Sequence, residues 1–343
     1  MDGRGDVDSN EKMDIGRMLK MNVALNADSK VVRKKKKTLL SDLKQNFYLY
    51  LLVLPGLLYF IVFKYLPMVG VVVAFQNFNP IKGLFKSEFV GLRNFEYFFT
   101  SKDWLIVTLN TVFLNILFIL SGLFFSILIA LVLSEIRSKN YKKITQSIVI
   151  LPNFISWTLA SMFVYALLST DVGFVNTTLQ ALGFIQEGQE INFYSNPHLW
   201  VGILVVLRIW KGAGFGSVIY LAAIAGIDQE IYEAAKIDGA SRLKCITKIT
   251  LPQLRTTAIL LTIFGIGGIF HGDLGMIYAI VGDNPNLYST TDVIDTYVFR
   301  MLRQMNDMGM STAIGLYQSF VGFVIVFLTN ALARKYDPDS SIF

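Results

Sequence analysis

The sequence predicts an all-α polytopic membrane protein with six transmembrane helices. Six apolar runs each reach the roughly 20 residues a helix needs to cross a hydrocarbon core: about 47–75, 105–134, 146–169, 199–226, 253–281 and 312–333. The chain is 53% hydrophobic, with mean hydropathy +0.51 and 16% charged residues, where soluble domains carry about 25% charge. Basic residues also gather between alternate runs, the mark of cytoplasmic loops.

Residues 1–45 come first, a polar tail that reads RKKKK at Arg33 to Lys37 and has no apolar core of a signal peptide. It is predicted to be a separate cytoplasmic tail ahead of a membrane domain at 46–343. It holds 11 of the 31 Lys and Arg residues. Attraction to anionic membrane lipid accounts for that cluster, and hence for the net charge of +6, without nucleic acid.

The first span contains Pro55 and Pro67, so a kink is expected around Lys64 to Pro67. Lys64 either snorkels to the interface or lines a polar interior, and snorkelling is the favoured reading. Residues 79–104 are amphipathic and aromatic, which predicts short helices lying on the outer membrane face. The loop after the second span carries Arg137, Lys139, Lys142 and Lys143 and is assigned inside. The third span opens ILPNFISW, placing Pro152, Asn153, Ser156 and Trp157 near the cytoplasmic side. Residues 170–198 contain no Lys or Arg and read as an external loop with one short helix.

Arg208, Trp210 and Lys211 lie within the fourth span, where charges face protein or water and not lipid. Arg208 and Lys211, three apart, share a helix face. That face reads as a polar lining or as the partner of a carboxylate. The next loop holds Lys236, Arg242, Lys244 and Lys248 and is again inside. The fifth span is glycine-rich through FGIGGIFHGDLGMIY. Its His271 and Asp273 follow the start near Gln253 by a distance of about 27 to 30 Å, toward the outer leaflet. The loop 282–310 has only Arg300 and Arg303 as bases, and Arg334 and Lys335 follow the sixth span. Residues 79–104 are ambiguous with four basic residues, but both termini inside is the better assignment.

Chemistry by motif is sparse. No G-x-x-x-x-G-K-[ST] loop is present to hold ATP phosphates. Two histidines and one cysteine, far apart, give no transition-metal set. Cys245 reads as a small half-buried residue. Ser156, His271 and Asp273 lack a nucleophile elbow, so an enzyme is not expected.

The strong signal is GIDQEIYEAAKIDGASRLKCITKITLP. Residues 228–238 are good helix formers, Asp238-Gly239 supplies a stop with glycine in the left-handed cap, and Ser241 can cap a second short helix. Pro252 suits the first turn of the fifth span. Glu233-Ala234-Ala235, Gly239, Ile249 and Leu251-Pro252 fit EAA-x3-G-x9-I-x-LP. This resembles the cytoplasmic signature of ATP-binding-cassette importer permeases. VLPGLLYFIVFKYLP, FVGLRNFEYFF, LNTVFLN, LPNFISW, GFVN, NPNLYSTTDVIDTYVFR and NALARKYDPDSSIF are similar to the maltose-transporter-type sugar permeases, most of all the LplB-like branch for complex oligosaccharides. The resemblance covers about 45–343.

The resemblance implies a MetI-like type I importer permease fold in a bacterial cell membrane, forming half of a pathway for an oligosaccharide or polysaccharide fragment. It implies as partners a second homologous permease subunit, two ATPase subunits that hold ATP and Mg, and an extracytoplasmic solute-binding protein. The loop 228–252 would couple to the ATPase through Glu233, Ala234, Ala235, Asp238, Gly239 and Leu243. Candidate sugar contacts are chosen by residue type: Asn153, Trp157, Arg208, Trp210, Lys211, Tyr317 and Gln318, with His271 and Asp273 near the outer mouth. Each also has a packing or pairing role open to it. A secondary transporter, or a membrane scaffold or sensor, is the alternative.

Overall fold

A computed structural model describes residues 46–336, and among these the only strands form a two-stranded ribbon. Four helices are long and apolar enough to cross a membrane, and two bent pairs bring the number to six when each pair counts as one span. The basic tail and the end of the chain from 337 lie outside the described residues.

The chain divides into two compact units, the first ending at Met68. That unit contains α1 (Phe47–Phe60), a π-helical segment (Ile61–Tyr65) and the start of a 3-10 stretch (Leu66–Phe75). The kink expected at Pro67 takes the form of a change in hydrogen-bond pattern within one helical run, Phe47–Phe75. Pro67 has no N–H for the Phe63 carbonyl, so the turn before it opens. Pro252 does the same in the second unit, where a π segment (Ile246–Thr250) again ends two residues before the proline.

The second unit begins with the ribbon, β1 (Gln76–Asn77) against β2 (Glu88–Phe89), followed by α2 (Arg93–Thr100). The several interfacial helices expected over 79–104 are therefore one helix and a hairpin. Turn chemistry explains the difference. Asn79 accepts from the Ile81 amide at 2.9 Å, and Gly83 and Gly91 adopt positive φ, so the segment closes on itself before it can wind. The buried Asn94 of α2 ties the hairpin down, donating to the Ala74 and Gln76 carbonyls.

Two long helices, α3 (Asp103–Ser134) and α7 (Pro197–Ala225), form the centre of this unit. Between them the third span starts at Lys139, earlier than expected. It runs as α4 (Lys139–Ile150) and a 3-10 turn (Leu151–Phe154), then bends by 96° into α5 (Trp157–Leu168). Ser138 caps α4 and Ser156 caps α5. The loop 170–198 contains the short helix α6 (Phe174–Ala181), as expected.

After α7 come α8 (Gln229–Ile237) and α9 (Arg242–Cys245). The helix continues through the π segment and α10 (Leu251–Gln253), bends by 52°, and proceeds as α11 (Arg255–Gly267). The fifth span thus occupies 242–267, not 253–281. Pro252 sits inside it, and the glycine-rich stretch beyond Gly267 leaves the helix before α12 (Leu274–Val281). The short α13 (Tyr288–Thr291) and amphipathic α14 (Ile294–Gln304) lead to the last span, α15 (Met308–Tyr336).

Packing depends on small residues, as expected where lipid removes the hydrophobic drive between helices. A Cβ on Gly214 of α7 would lie 2.0 Å from the Val149 carbonyl oxygen of α4. One on Gly272 would lie 2.6 Å from Val293 Cγ2. Three apolar clusters fill the remaining space: one around Trp200, Leu204 and Met276, one around Phe98, Ile294 and Ile314, and one around Ala130, Tyr220 and Leu254.

Candidate functional site

A cavity of about 610 Å³ opens between α3, the bend of the third span, α7, α11 and the unwound segment 268–273. Asn153, Trp157, Arg208, Lys211, His271 and Asp273 line it together. They meet because the third span begins seven residues earlier than its hydropathy suggests, which places Asn153 and Trp157 in the middle of the span and not at its start. The fifth span likewise starts at Arg242, and its break brings Asp273 beside α7. Arg208 Nη1 donates to Asp273 Oδ2 at 2.8 Å. Arg208 lies eleven residues into α7, about 17 Å from that helix's N-terminal end. Asp273, which the sequence reading put with His271 near the outer mouth, is thus level with the middle of α7.

Lys211 is held differently. Its Nζ donates to the carbonyls of Asn153 at 2.9 Å, Pro152 at 3.5 Å and Ile155. These acceptors sit at the bend, where the proline and the change of direction release carbonyls from the helix ladder. Lys211 therefore fastens the break, with its ammonium 5.1 Å from the centre of the Trp157 ring. The Arg208 guanidinium lies 5.8 Å from the centre of the Phe118 ring.

Three candidates lie elsewhere. Trp210 is absent from the lining, since two residues along a helix from Arg208 amount to a rotation of about 200°. Gln318 is buried and donates to the Phe270 carbonyl at 2.6 Å and Asp295 Oδ2 at 2.8 Å. Tyr317 packs among Phe98, Phe99 and Phe270. Both residues brace the segment 268–273 from behind. Residue type alone did not find Asn115, which lines the cavity and donates to the Ile269 and His271 carbonyls at 3.1 and 3.2 Å. Its signal was there in Thr111 and Asn115, two polar residues one helical turn apart in an apolar run.

Another ion pair joins Arg300 of α14 to Asp292, just ahead of that helix. Arg300 Nη2 meets Asp292 Oδ2 at 2.6 Å, with the guanidinium 4.1 Å from the centre of the Tyr288 ring. Burial, and then the bond to Asp283, push the Tyr288 phenol up to about 12, so it stays a hydrogen-bond donor through the physiological range.

The second feature is the loop between α7 and the fifth span. Asp228 caps α8, accepting from the Glu230 amide at 2.9 Å. Gly239 takes φ +76°, and the Gly239 and Ala240 amides close back on the Lys236 and Ala235 carbonyls. This is the glycine C-cap that the sequence predicts. Ser241 then caps α9. Tyr232 and Thr250 join their hydroxyls at 2.8 Å, tying α8 to the fifth span. Glu233, Ala234 and Asp238 are exposed, Ala235 is half-buried, and Ile237 and Leu243 are 86% and 73% exposed. Apolar side chains this open, on a loop whose helix ends are capped, form a stiff face ready for contact.

Residues 40–338 match the family described as binding-protein-dependent transport system inner membrane component. Protein LplB of Bacillus subtilis is 38% identical over 300 residues, which is 88% of this chain and 92% of that protein. The polygalacturonan/rhamnogalacturonan transport system permease protein YteP of the same organism is 37% identical over 310 residues, 90% of this chain and 94% of that protein. A chain in the crystal structure of a bacterial ABC transporter involved in the import of the acidic polysaccharide alginate superposes with a TM-score of 0.79 at 35% identity. The match covers 88% of this chain and all of that one.

Proposed function

The chain belongs to the family of inner membrane components of binding-protein-dependent transport systems and is a permease subunit of a sugar or oligosaccharide ABC importer; from that premise we propose that its cargo is an acidic oligosaccharide passing through the 610 Å³ cavity. The observation that carries this reading is the charge of the lining. Among the described lining residues Arg208 and Lys211 face a single carboxylate, Asp273, which leaves one formal positive charge in excess with His271 neutral. That excess gives the cavity a positive potential, which draws an anionic cargo in preference to a neutral one. Trp157, Phe118 and Phe215 offer aromatic faces for the apolar sides of sugar rings. Among proteins similar to this chain, one transporter is involved in the import of the acidic polysaccharide alginate and one permease belongs to a polygalacturonan/rhamnogalacturonan transport system.

The rest of the proposed assembly follows the family. A second permease subunit supplies the other half of the pathway, two ATPase subunits holding ATP and Mg sit below, and a solute-binding protein delivers cargo from outside. Both termini face the cytoplasm. The loop 228–252 docks on the ATPase through Glu233, Ala234, Ala235, Asp238, Gly239 and Leu243. A short stiff element anchored at both ends passes an ATP-driven push to the spans, which alternate between two states of access.

The test is reconstitution of the complete transporter in liposomes with its binding protein, loaded with a tri-uronate or its carboxyl-reduced counterpart. Stimulation of ATP hydrolysis and uptake by the tri-uronate is expected. A reduced, neutral trisaccharide that outcompetes it would remove the acidic reading.

A further inference from the structure

We propose that Asp273 is a resident counter-ion which the carboxylate of the cargo displaces from Arg208, so that Arg208 sets the preference for charged over neutral sugars and Asp273 limits how tightly the charged sugar is held. The inference rests on the acidic reading above and adds the residues through which it acts.

Two ion pairs show what an exchangeable pair requires. Arg300 and Asp292 are 12% and 5% exposed, the guanidinium is stacked against Tyr288 and Tyr297, and Asp292 also accepts from Thr296 Oγ1 at 2.7 Å. The pair borders a cavity of about 230 Å³, but both groups are largely buried and held from several sides, so it serves as a structural pair. Arg208 and Asp273 are 43% and 30% exposed, and both line the cavity. Their contact uses one guanidinium nitrogen and one carboxylate oxygen. A guanidinium holds a carboxylate best through two parallel bonds, which the present contact lacks. An incoming sugar carboxylate able to take both gains a geometry that Asp273 does not offer.

Asp273 is also prepared to be left. Its Oδ1 accepts from the Met276 amide at 2.9 Å, capping α12, so the carboxylate keeps a bond and open access to the cavity when Arg208 turns away. Lys211 does not substitute for Arg208, because its ammonium is held by the carbonyls of the bend. A neutral hydroxyl would have to replace a charged acceptor with an uncharged one. A neutral sugar therefore binds with the pair closed, and only an anion opens it, offsetting the displacement of Asp273.

Asp273→Asn separates the charge from the cap, since asparagine caps a helix about as well as aspartate. Equilibrium binding of a tri-uronate and of its carboxyl-reduced counterpart would be measured on the complete transporter in lipid nanodiscs, without the binding protein. In Asp273→Asn the Kd for the tri-uronate is expected to fall roughly five-fold, the effect of removing a half-exposed competing charge. The Kd for the reduced sugar is expected to stay within two-fold, on the order of experimental scatter. Arg208→Gln is expected to erase the difference between the two sugars. If the parent prefers the tri-uronate but Asp273→Asn leaves the ratio unchanged, or moves both sugars alike, the counter-ion role is wrong and the acidic reading stands. If the parent binds both sugars equally or neither, the acidic reading itself fails and takes this inference with it.

Discussion

Lys211 and Arg208 are both cations on one face of α7, yet they are expected to answer to different experiments. Lys211→Met removes the donor to the carbonyls of Asn153 and Ile155, half-buried acceptors, while the Pro152 carbonyl keeps the Ile155 amide; each acceptor left unmet costs up to about 1 kcal/mol. The purified complex of this variant is expected to melt several degrees lower or to accumulate poorly. Arg208→Gln, at a half-exposed contact, is expected to melt with the parent and to lose uptake of the acidic sugar. Thermal unfolding in detergent beside an uptake assay separates the two, and a stable Lys211→Met complex would show that the bend holds without its fastener. The sequence made the two residues look alike because charge and spacing are all it displays. What a charge touches depends on the bend at Pro152, which lies far from Lys211 in the chain. Gln318 and Tyr317 were drawn into the candidate sugar set for the same reason. Both have the right chemistry, but that chemistry is engaged by Phe270, Asp295 and a packed aromatic cluster.

At the scale of elements, hydropathy located the four unbroken spans to within a few residues and misplaced the two broken ones. The third span begins among Lys139, Lys142 and Lys143, whose charges depress any window average although the residues are helical. The fifth begins at Arg242, where a loop motif and a span share the same residues. A scan for apolar runs cannot see a helix that enters the membrane polar end first, and both errors moved cavity residues to the wrong depth. Contact between elements can be tested through glycine. Gly214→Ala would place a Cβ 2.0 Å from the Val149 carbonyl oxygen, a backbone atom that cannot turn aside, so α4 and α7 must part. Gly202→Ala on the same helix meets nothing within 4 Å, and alanine is better in a helix by about 1 kcal/mol. Membrane levels of the assembled complex are expected to collapse for Gly214→Ala and to hold or rise for Gly202→Ala. Equal levels for both would mean that the approach of α4 and α7 is looser than these distances.

For the whole molecule the question is whether the loop 228–252 transmits force, and Gly239 allows a graded answer. Its φ of +76° lies where an ordinary side chain costs about 1–2 kcal/mol, while asparagine tolerates the region better than most residues. Proline cannot enter it, and would also remove the amide that donates to the Lys236 carbonyl at 3.0 Å. No neighbour crowds the site, so any effect comes from the backbone alone. Reconstituted complexes carrying Gly239→Asn, Gly239→Ala and Gly239→Pro should therefore lose substrate-stimulated ATP hydrolysis in that order, with Asn near the parent and Pro at the unstimulated rate. All three should remain assembled in the membrane, because the bend lies outside the packed spans. Glu233→Lys, which reverses an exposed charge on α8 without altering its backbone, should weaken ATPase docking in the same assay. Tyr232→Phe is the complementary case. It leaves the exposed docking face intact and removes only the hydroxyl that meets Thr250 at 2.8 Å, the tie between α8 and the fifth span. If the loop works as a lever, this variant should still hold the ATPase in a pull-down yet show a smaller stimulation of hydrolysis by cargo. Full stimulation with that tie cut would mean that the push reaches the spans through another contact.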